Sequence, residues 1–554
     1  MNEKTKIGLE ILEAALLLGV LGNVLLRVTP WGLNVLLWIA TLVAVMLMLN
    51  SRRRREFLTR QTIALHVALV CFAEMFVWRD STELKLLNTL AILTILSLLT
   101  LPALKIKANM TGVSQYALAG IWSGVNAAFA SLYLLTADIK WKTIPQNGWT
   151  KHLTAVLRGL AIAAPLVLIF GALFMAADAV FQGIVEQTLR INPEILFTHV
   201  LLTGFLSWTV AGYLRGSLFE AFAPEPKAAT KPEQPRLSIT EIKEDEKESK
   251  IENEKSSETK SPEKKNWDWR NFDNSVMPKA FTLGAIEMSI VLGLINLLFL
   301  GFVIVQIPYL FGGMDLVQNT PDFKLAEYAR RGFGELVTVA ALVLPILLVS
   351  HWLLRKDVPA NEKIYRVLAG VQIALLFVIM ISATQRLLLL TGNLGYGLTT
   401  VRFYPMVFMI WLALVFLWFA LTVLRGAREQ FAWGALWAAF FVVGTLHVLN
   451  PDDFIVRANV RLMQEGRGFD SYYVSNLSDD AVPALLENLP KMDFEQQCAV
   501  KDKILHRFDQ AQTENDFRTW NWSRSIARRE MTRHAGNFDT SNCPSHTRQF
   551  YKDF

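Results

Sequence analysis

Residues 403–424 read FYPMVFMIWLALVFLWFALTVL, a run of 22 residues without a charged side chain. An α-helix of about 20 apolar residues is long enough to cross the hydrocarbon core of a bilayer. The run is therefore predicted to be a transmembrane helix. Because backbone polar groups find no water inside a bilayer, a chain built from such runs is expected to fold as an all-α polytopic membrane bundle.

The composition of the whole chain agrees with this run. The 554 residues are 52% hydrophobic and only 19% charged, with a mean hydropathy of +0.31, whereas soluble proteins usually carry about 25% charged residues. These values exclude a soluble enzyme, a fibrous protein and a secreted disulfide scaffold. Eleven spans are predicted, at about residues 8–26, 31–49, 60–78, 84–103, 154–180, 195–218, 280–307, 333–354, 363–384, 403–424 and 430–449.

A charged segment divides these spans into two groups. Residues 220–276 are rich in Lys, Glu, Pro and Ser and contain almost no apolar clusters, so they are predicted to be a disordered cytoplasmic linker. The linker separates N-terminal membrane helices in residues 1–219 from C-terminal membrane helices in residues 277–449.

Residues 450–554 have the composition of a soluble domain, which is predicted to be helical. Asn450, followed by Pro451 and Asp452, is typical of a helix start, and Gly466 of its end. Further helices are expected from Ser478 and over about 493–513 and 516–534.

Loop charges predict the orientation. With eleven spans and a cytoplasmic N-terminus, Lys and Arg are about twice as frequent in the inner loops as in the outer ones. Residues 114–135 are uncharged, but a crossing there would weaken this bias. They are predicted to form an interfacial helix, with an apolar stripe that includes Ile121 and Phe129. The C-terminal domain is then extracytoplasmic, where Cys498 and Cys543 are either disulfide-bonded or two free thiols.

No sequence motif indicates a cofactor, a catalytic centre or a metal site. The chain has no Gly-rich nucleotide loop, no HExxH motif and no cluster of Cys and His ligands. The net charge of +6 is explained by loop charges and does not indicate a nucleic-acid partner. The scattered His residues, among them His447 at the end of a span, are interpreted as interhelical hydrogen-bonding groups.

Two sets of charged residues are candidate functional sites. An ionisable group inside a span is costly, so the buried acids Glu74, Asp178 and Glu287 indicate either a proton or cation site or structural ion pairs. The second set is an outer-face cluster that combines arginines with acids, against the positive-inside bias. It suits an anionic ligand or a lipid headgroup, or else forms a solvated collar of ion pairs. Its members are Glu327, Arg330, Arg331, Glu335, Arg386, Arg402, Asn450 and Asp452.

Several local motifs carry a resemblance to a known family. They include Ala177–Phe181, Leu325–Leu336, Tyr396–Arg402, Asn450-Pro451 and Leu477–Leu485. With them, the chain from about residue 155 onward resembles the bacterial polytopic membrane proteins of domain-of-unknown-function family 4173, related to family 4153. The resemblance implies a protein of the bacterial cytoplasmic membrane and implies no activity.

Three functions fit these features. The simplest is a non-enzymatic membrane scaffold, or a signalling or envelope factor, that uses the outer domain to contact a protein partner. A transporter of a small or anionic solute is the first alternative, because acids and prolines interrupt the spans. An envelope enzyme for a lipid-linked or phosphorylated substrate is the second, although no pair of nucleophile and base is evident.

Overall fold

The computed structural model describes residues 3–53, 55–141, 193–219, 282–311, 325–355, 358–388, 391, 397–513, 516–534 and 543. Regular structure within these ranges is helical, apart from one isolated backbone pairing between Leu283 and Leu354. The predicted all-α bundle is confirmed. The predicted linker and the predicted span 154–180 lie outside the described residues.

The N-terminal group of helices follows the hydropathy pattern closely. Its helices are α1 Glu3–Leu26, α2 Leu33–Arg53, α3 Arg60–Trp78, α4 Thr82–Leu98, α5 Val113–Asp138 and α6 Pro193–Leu218. Thr59 caps the start of α3, where its side chain accepts a hydrogen bond from the Thr62 amide.

The described part of the C-terminal group contains five long helices. They are α7 Ala285–Phe311, α8 Leu325–Leu353, α9 Pro359–Leu388, α10 Thr400–Thr422 and α11 Phe431–Leu449. Helix α11 joins the two groups, because Phe440 on α11 packs edge-on against Phe72 on α3 with ring centroids 4.9 Å apart.

In the described part of the chain, eleven helices are long and apolar enough to cross a membrane. Eleven spans were also predicted, but the two sets of helices differ. The set in the structure includes α5, and the predicted span 154–180 lies outside the described residues. Helix α5 turns its apolar side chains outward, including Ile121 and Phe129, and buries Asn126, Ser131 and Asp138. Its polar face therefore packs on the bundle.

The described part of the C-terminal domain is helical. They are α12 Pro451–Gln464, α13 Ser471–Ser475, α14 Val482–Asn488, α15 Phe494–Thr513 and α16 Trp522–His534. Asn450 caps α12, and Gly466 follows its end with a φ of 79°, as predicted. Cys498 and Cys543 form a disulfide, which resolves the open alternative.

One predicted boundary in this domain is wrong. The last helix begins at Trp522, not near residue 516, because Asp516 caps a separate turn over Phe517–Thr519 and Asn521 caps the helix itself. The chain between the turn and the helix packs against the membrane helices.

The domain sits on one end of the bundle, called here the domain end. The Leu33 amide donates to the Trp520 carbonyl (3.0 Å), and Arg518 donates to the Val24 carbonyl (2.5 Å). The loops between α1 and α2 and between α3 and α4 and the end of α11 lie at the domain end, so Glu3 at the start of α1 lies at the opposite end.

Both termini of α5 lie at that opposite end. The Asp138 carboxylate accepts from Arg215 in the last turn of α6 (2.6 Å), and its carbonyl accepts from Thr5 in the first turn of α1 (3.4 Å). The turn before α5, Ala108–Met110, packs against residues 428–430 at the start of α11.

Candidate functional site

The junction between the domain and the bundle is a buried polar region. Its centre is Asp480, whose side chain is fully buried. One carboxylate oxygen accepts from the backbone amides of Asp80 and Ser81, both at 2.7 Å, and the other accepts from the Ser523 hydroxyl. With these hydrogen bonds the carboxylate ties the loop between α3 and α4 to the domain.

Ion pairs surround this carboxylate. Arg79 lies 3.6 Å from Asp480 and donates to the His447 carbonyl (2.8 Å) at the end of α11. Asp80 accepts from Lys85 (2.6 Å) on α4 and from Arg524 (2.9 Å) on α16. Positive charges from the bundle and from the domain therefore alternate with the acids.

The domain also satisfies the free carbonyls at the end of α3. The last carbonyls of a helix have no partner within the helix. Here Asn521 donates to the carbonyls of Phe76 (2.9 Å) and Arg79 (3.0 Å), and Ser523 donates to that of Trp78 (3.1 Å). Residues of the domain thus cap the C-terminal end of a membrane helix.

A second contact joins the start of α10 to α12. Asn459, which is buried, accepts from the Leu398 amide (2.6 Å) and donates to its carbonyl (2.8 Å). Gly397 has a φ of 70°, and a Cβ there would lie 2.8 Å from the Asn459 Oδ1. Only glycine fits both the conformation and the space. The Tyr473 hydroxyl accepts from the Thr400 amide (2.7 Å).

Asp452 lies at the edge of the same junction and is only 1% exposed. Its Oδ2 accepts from the amide (3.2 Å) and hydroxyl (2.5 Å) of Ser478. Burial raises the pKa of Asp452 to about 6, because desolvation outweighs the bonds from Ser478 and the negative charges of Asp480 and Glu83 add to the rise.

Next to Asp452 is a cavity of about 390 Å³. It lies between the starts of α4 and α10 and the C-terminal domain. The lining includes the carboxylates of Asp80, Glu83, Asp452 and Asp479 and one guanidinium, that of Arg507. Arg507 lies 3.7 Å from Asp479. The cavity is therefore predominantly acidic.

The predicted outer-face cluster is only partly assembled in the described structure. Asn450 and Asp452 lie in the junction, where the Asn450 amide donates to the Asp480 carbonyl (3.2 Å). Arg402, in the first turn of α10, donates to the Gly397 carbonyl (2.5 Å) in the preceding loop, and neither Arg402 nor the buried Arg386 lines the cavity.

The remaining members of the cluster lie on α8. Glu335 is exposed. The backbone of residues 327–331 is helical, but the side chains of Glu327, Arg330 and Arg331 lie outside what the structure describes.

Glu74 and Glu287, the candidate acids within spans, are not enclosed by the described protein. Both side chains are exposed. Glu287 lies in the first turn of α7, which begins at Ala285 and not at residue 280, and it accepts from the Gly284 amide (3.0 Å) as a capping residue. Glu74 lies one turn from the end of α3. Asp178 lies outside the described residues.

His447 has the structural role that the sequence indicated. Its ring bonds Asn88 on α4 (3.1 Å), so it links two spans. The sequence reasoning missed Arg79, Asp80, Asp480 and Ser523 as site residues. The one available signal was the motif Leu477–Leu485, which contains Asp480 and Ser478.

Comparison with known proteins gives one family. The sequence model described as "Domain of unknown function (DUF4153)" matches residues 66–488. This range covers most of the bundle and the part of the junction formed by Arg79 to Glu83 and Asp452 to Asp480. No curated protein and no solved structure matches the chain.

Proposed function

The chain belongs to the DUF4153 family, and from this premise we propose that it is a non-enzymatic membrane scaffold that presents its helical domain to a signalling or envelope protein. The observation that carries the proposal is the docking of the domain. Asp480 and Asn521 hold it on the loops of the bundle through buried hydrogen bonds. Such contacts favour a fixed platform over a domain that moves freely.

We further propose that the protein resides in the bacterial cytoplasmic membrane with the N-terminus cytoplasmic and the domain outside. The disulfide between Cys498 and Cys543 supports this, since disulfides persist in oxidising compartments. Asp138 lies at the end of the bundle opposite the domain, where it bonds Arg215. His199, early in α6, lies at the domain end, where it bonds Asn23. One crossing between these two residues, as proposed for residues 154–180, agrees with this orientation.

Reporter fusions test this orientation. An alkaline phosphatase fused after Phe554 is expected to be active, and one inserted within residues 224–276 inactive. The reverse pattern would overturn the orientation.

Helix α5 is proposed to lie along the inner leaflet without crossing. Its two ends contact the same end of the bundle, and its outward face is apolar while its polar residues face protein. Cysteines introduced at the exposed positions Ile121 and Phe129 in a variant with Cys71 replaced by Ser are expected to resist a membrane-impermeant thiol reagent added from outside. Labelling at either position from outside would contradict this placement.

The proposed partner surface is the exposed aromatic part of the domain. Tyr472 is 56% exposed and Phe494 60% exposed. Aromatic side chains are the usual anchors of protein interfaces. By contrast, transport of an anionic solute finds less support, since Arg402 bonds the loop that precedes its own helix.

Affinity purification from native membranes tests the scaffold role. One envelope protein is expected in near-stoichiometric amount with the wild type, and at least about tenfold less with the variant Tyr472→Ala, Phe494→Ala. The matched control is Phe441→Ala, since Phe441 is a 72% exposed aromatic on the span α11. The scaffold proposal fails if no protein is recovered near stoichiometry, or if all three forms recover it equally.

A further inference from the structure

The junction cavity has the size and position of a ligand site. Its volume of about 390 Å³ is within the range of small-molecule pockets, about 300–1,000 Å³. The bundle contributes Glu83 and Thr400, and the domain contributes Asp452 and Tyr473. A molecule bound here would contact both parts of the protein.

The charge of the lining selects for cations. Four carboxylates and one guanidinium face the cavity. Two of the carboxylates have basic partners, since Asp80 accepts from Lys85 and Arg524 and Asp479 pairs with Arg507. Glu83 accepts from the Ser81 hydroxyl (3.1 Å). An excess of negative charge therefore remains on the Asp452 side.

Asp452 has an unused hydrogen-bonding atom in this wall. Its Oδ2 is bonded to Ser478, but its buried Oδ1 has no hydrogen-bond partner among the described residues. A buried acceptor left without a donor is unfavourable, and more so when it is charged. A donor brought by a ligand would remove this cost.

The arrangement distinguishes between classes of cation. No group of three or more His, Cys, Asp or Glu side chains in the described part of the chain is arranged to hold a metal ion. The carboxylates are instead spread around the cavity. An ammonium group carries three donors on a single charged nitrogen and forms strong bonds to carboxylates.

We propose that the cavity binds a small organic ammonium compound, with its charged nitrogen paired with the carboxylate of Asp452 in the cavity lining. This ligand site is separate from the proposed scaffold role. If no amine binds, the result of the partner purification still decides the scaffold role by itself. Occupancy adds contacts across the junction and so favours the docked domain.

Binding is expected to depend on pH. The ligand requires ionised Asp452, and the raised pKa of this carboxyl, about 6, means that protons compete with the ligand below that value. Affinity is therefore expected to fall between pH 7.5 and pH 5. The titratable and charged groups around Asp452 come from the bundle and from the domain. They are Glu83 on α4, Tyr404 on α10, Asp480, which shares the hydroxyl of Ser478 with Asp452, and Asp80, Tyr473, Asp479 and Arg507 in the cavity lining.

Calorimetric titration of the full-length protein in lipid nanodiscs tests the proposal. The amine probes are putrescine, spermidine and glucosamine, and the reference probes are glucose and Mg²⁺. At least one amine is expected to bind saturably at pH 7.5. Glucose, which lacks the amine of glucosamine, is expected not to bind at the same concentration.

Two variants locate the binding. Asp452→Asn is expected to weaken amine binding at least about 30-fold, because it removes the charge paired with the ligand. Asp453→Asn is the matched control, since Asp453 pairs with Arg457 on the surface. If Asp452→Asn does not fold, the wild type at pH 5 and pH 7.5 gives the same comparison.

Four outcomes would overturn the site. They are no amine binding at millimolar concentrations, equal binding by wild type and Asp452→Asn, equal binding of glucose and glucosamine, and displacement of the amine by Mg²⁺ with Mg²⁺ binding more tightly. The last two would assign the cavity to a neutral sugar or to a divalent cation.

Discussion

Asp480 and Asp452 are both buried at the same junction and both lie beside Ser478, yet their surroundings differ. Every oxygen of Asp480 has donors from the bundle or the domain, whereas Oδ1 of Asp452 has no partner among the described residues. The two carboxylates are similarly buried but have different roles. Asp480, with all its hydrogen bonds formed, holds the domain on the bundle and is called here the clamp. Asp452, with one oxygen unbonded and a cavity beside it, is the proposed ligand site.

The largest expected effect comes from removing the clamp. Asp480→Ala leaves the Asp80 and Ser81 amides and Arg79 without their acceptor, which is expected to cost about 3–5 kcal/mol. Hydrogen exchange measured by mass spectrometry should show the loop between α3 and α4 exchanging about 10²- to 10³-fold faster. Asp453→Ala, the surface control, should leave this loop unchanged. Unaltered protection in the Asp480 variant would refute the clamp.

The second expected effect is a pH dependence of stability that comes from Asp452. The pKa of Asp452 is raised from 3.8 to about 6 by burial. Its neutral form is favoured in the folded state, so its contribution to stability is present below about pH 4 and is lost as the pH rises to about 6. The loss is about 2–3 kcal/mol.

Asp452→Asn should remove this dependence. Thermal unfolding of both forms between pH 4 and pH 8 is the measurement, and the wild type is expected to lose stability relative to the variant between pH 4 and pH 6. Parallel curves over that interval would show that burial of Asp452 has no such cost.

A smaller effect is expected where the domain completes α3. Asn521→Ala leaves the carbonyls of Phe76 and Arg79 without their donor and should lower the free energy of unfolding by about 1–3 kcal/mol. Thr532→Ala is the control, because Thr532 is exposed and bonds only within its own helix, to Arg528. Equal melting temperatures for the two variants would mean that water replaces Asn521 at no cost.

The smallest effect is expected on the domain surface. Arg457 pairs with Asp453 (2.8 Å) and Glu487 (2.7 Å), and its side chain is 46% exposed. Arg457→Ala should change stability by less than about 1 kcal/mol, and salt should reduce the difference further. A larger, salt-independent loss in thermal unfolding would show that the surface pairs matter as much as the buried ones.

The difference between local and long-range contacts explains which features the sequence predicted. The spans follow from local hydropathy, and helix α3 has the predicted bounds of 60 and 78. The start of α12 follows from the local signal Asn450-Pro451. The Asp480 site joins residues about 400 positions apart along the chain, and no local pattern pairs them.

The candidate site was found only in part for the same reason. Asp452 and Asn450 were identified as outer-face residues, but with arginines as the expected partners. Their observed partners are Ser478 and Asp480, because the domain folds back over the loop between α3 and α4. Arg79 and Asp80 lie in a short loop between two predicted spans, and no local pattern marks them, since their role depends on which residues the domain brings to that loop.

The bond from Arg518 to the Val24 carbonyl spans 494 residues of sequence. The first two membrane helices therefore receive their closing contacts only when almost the entire chain has been made. At a synthesis rate of about 5–20 residues per second, this is a delay on the order of 25–100 s. The hairpin of the first two membrane helices is therefore completed by the turn Phe517–Thr519, which is made long after the hairpin itself.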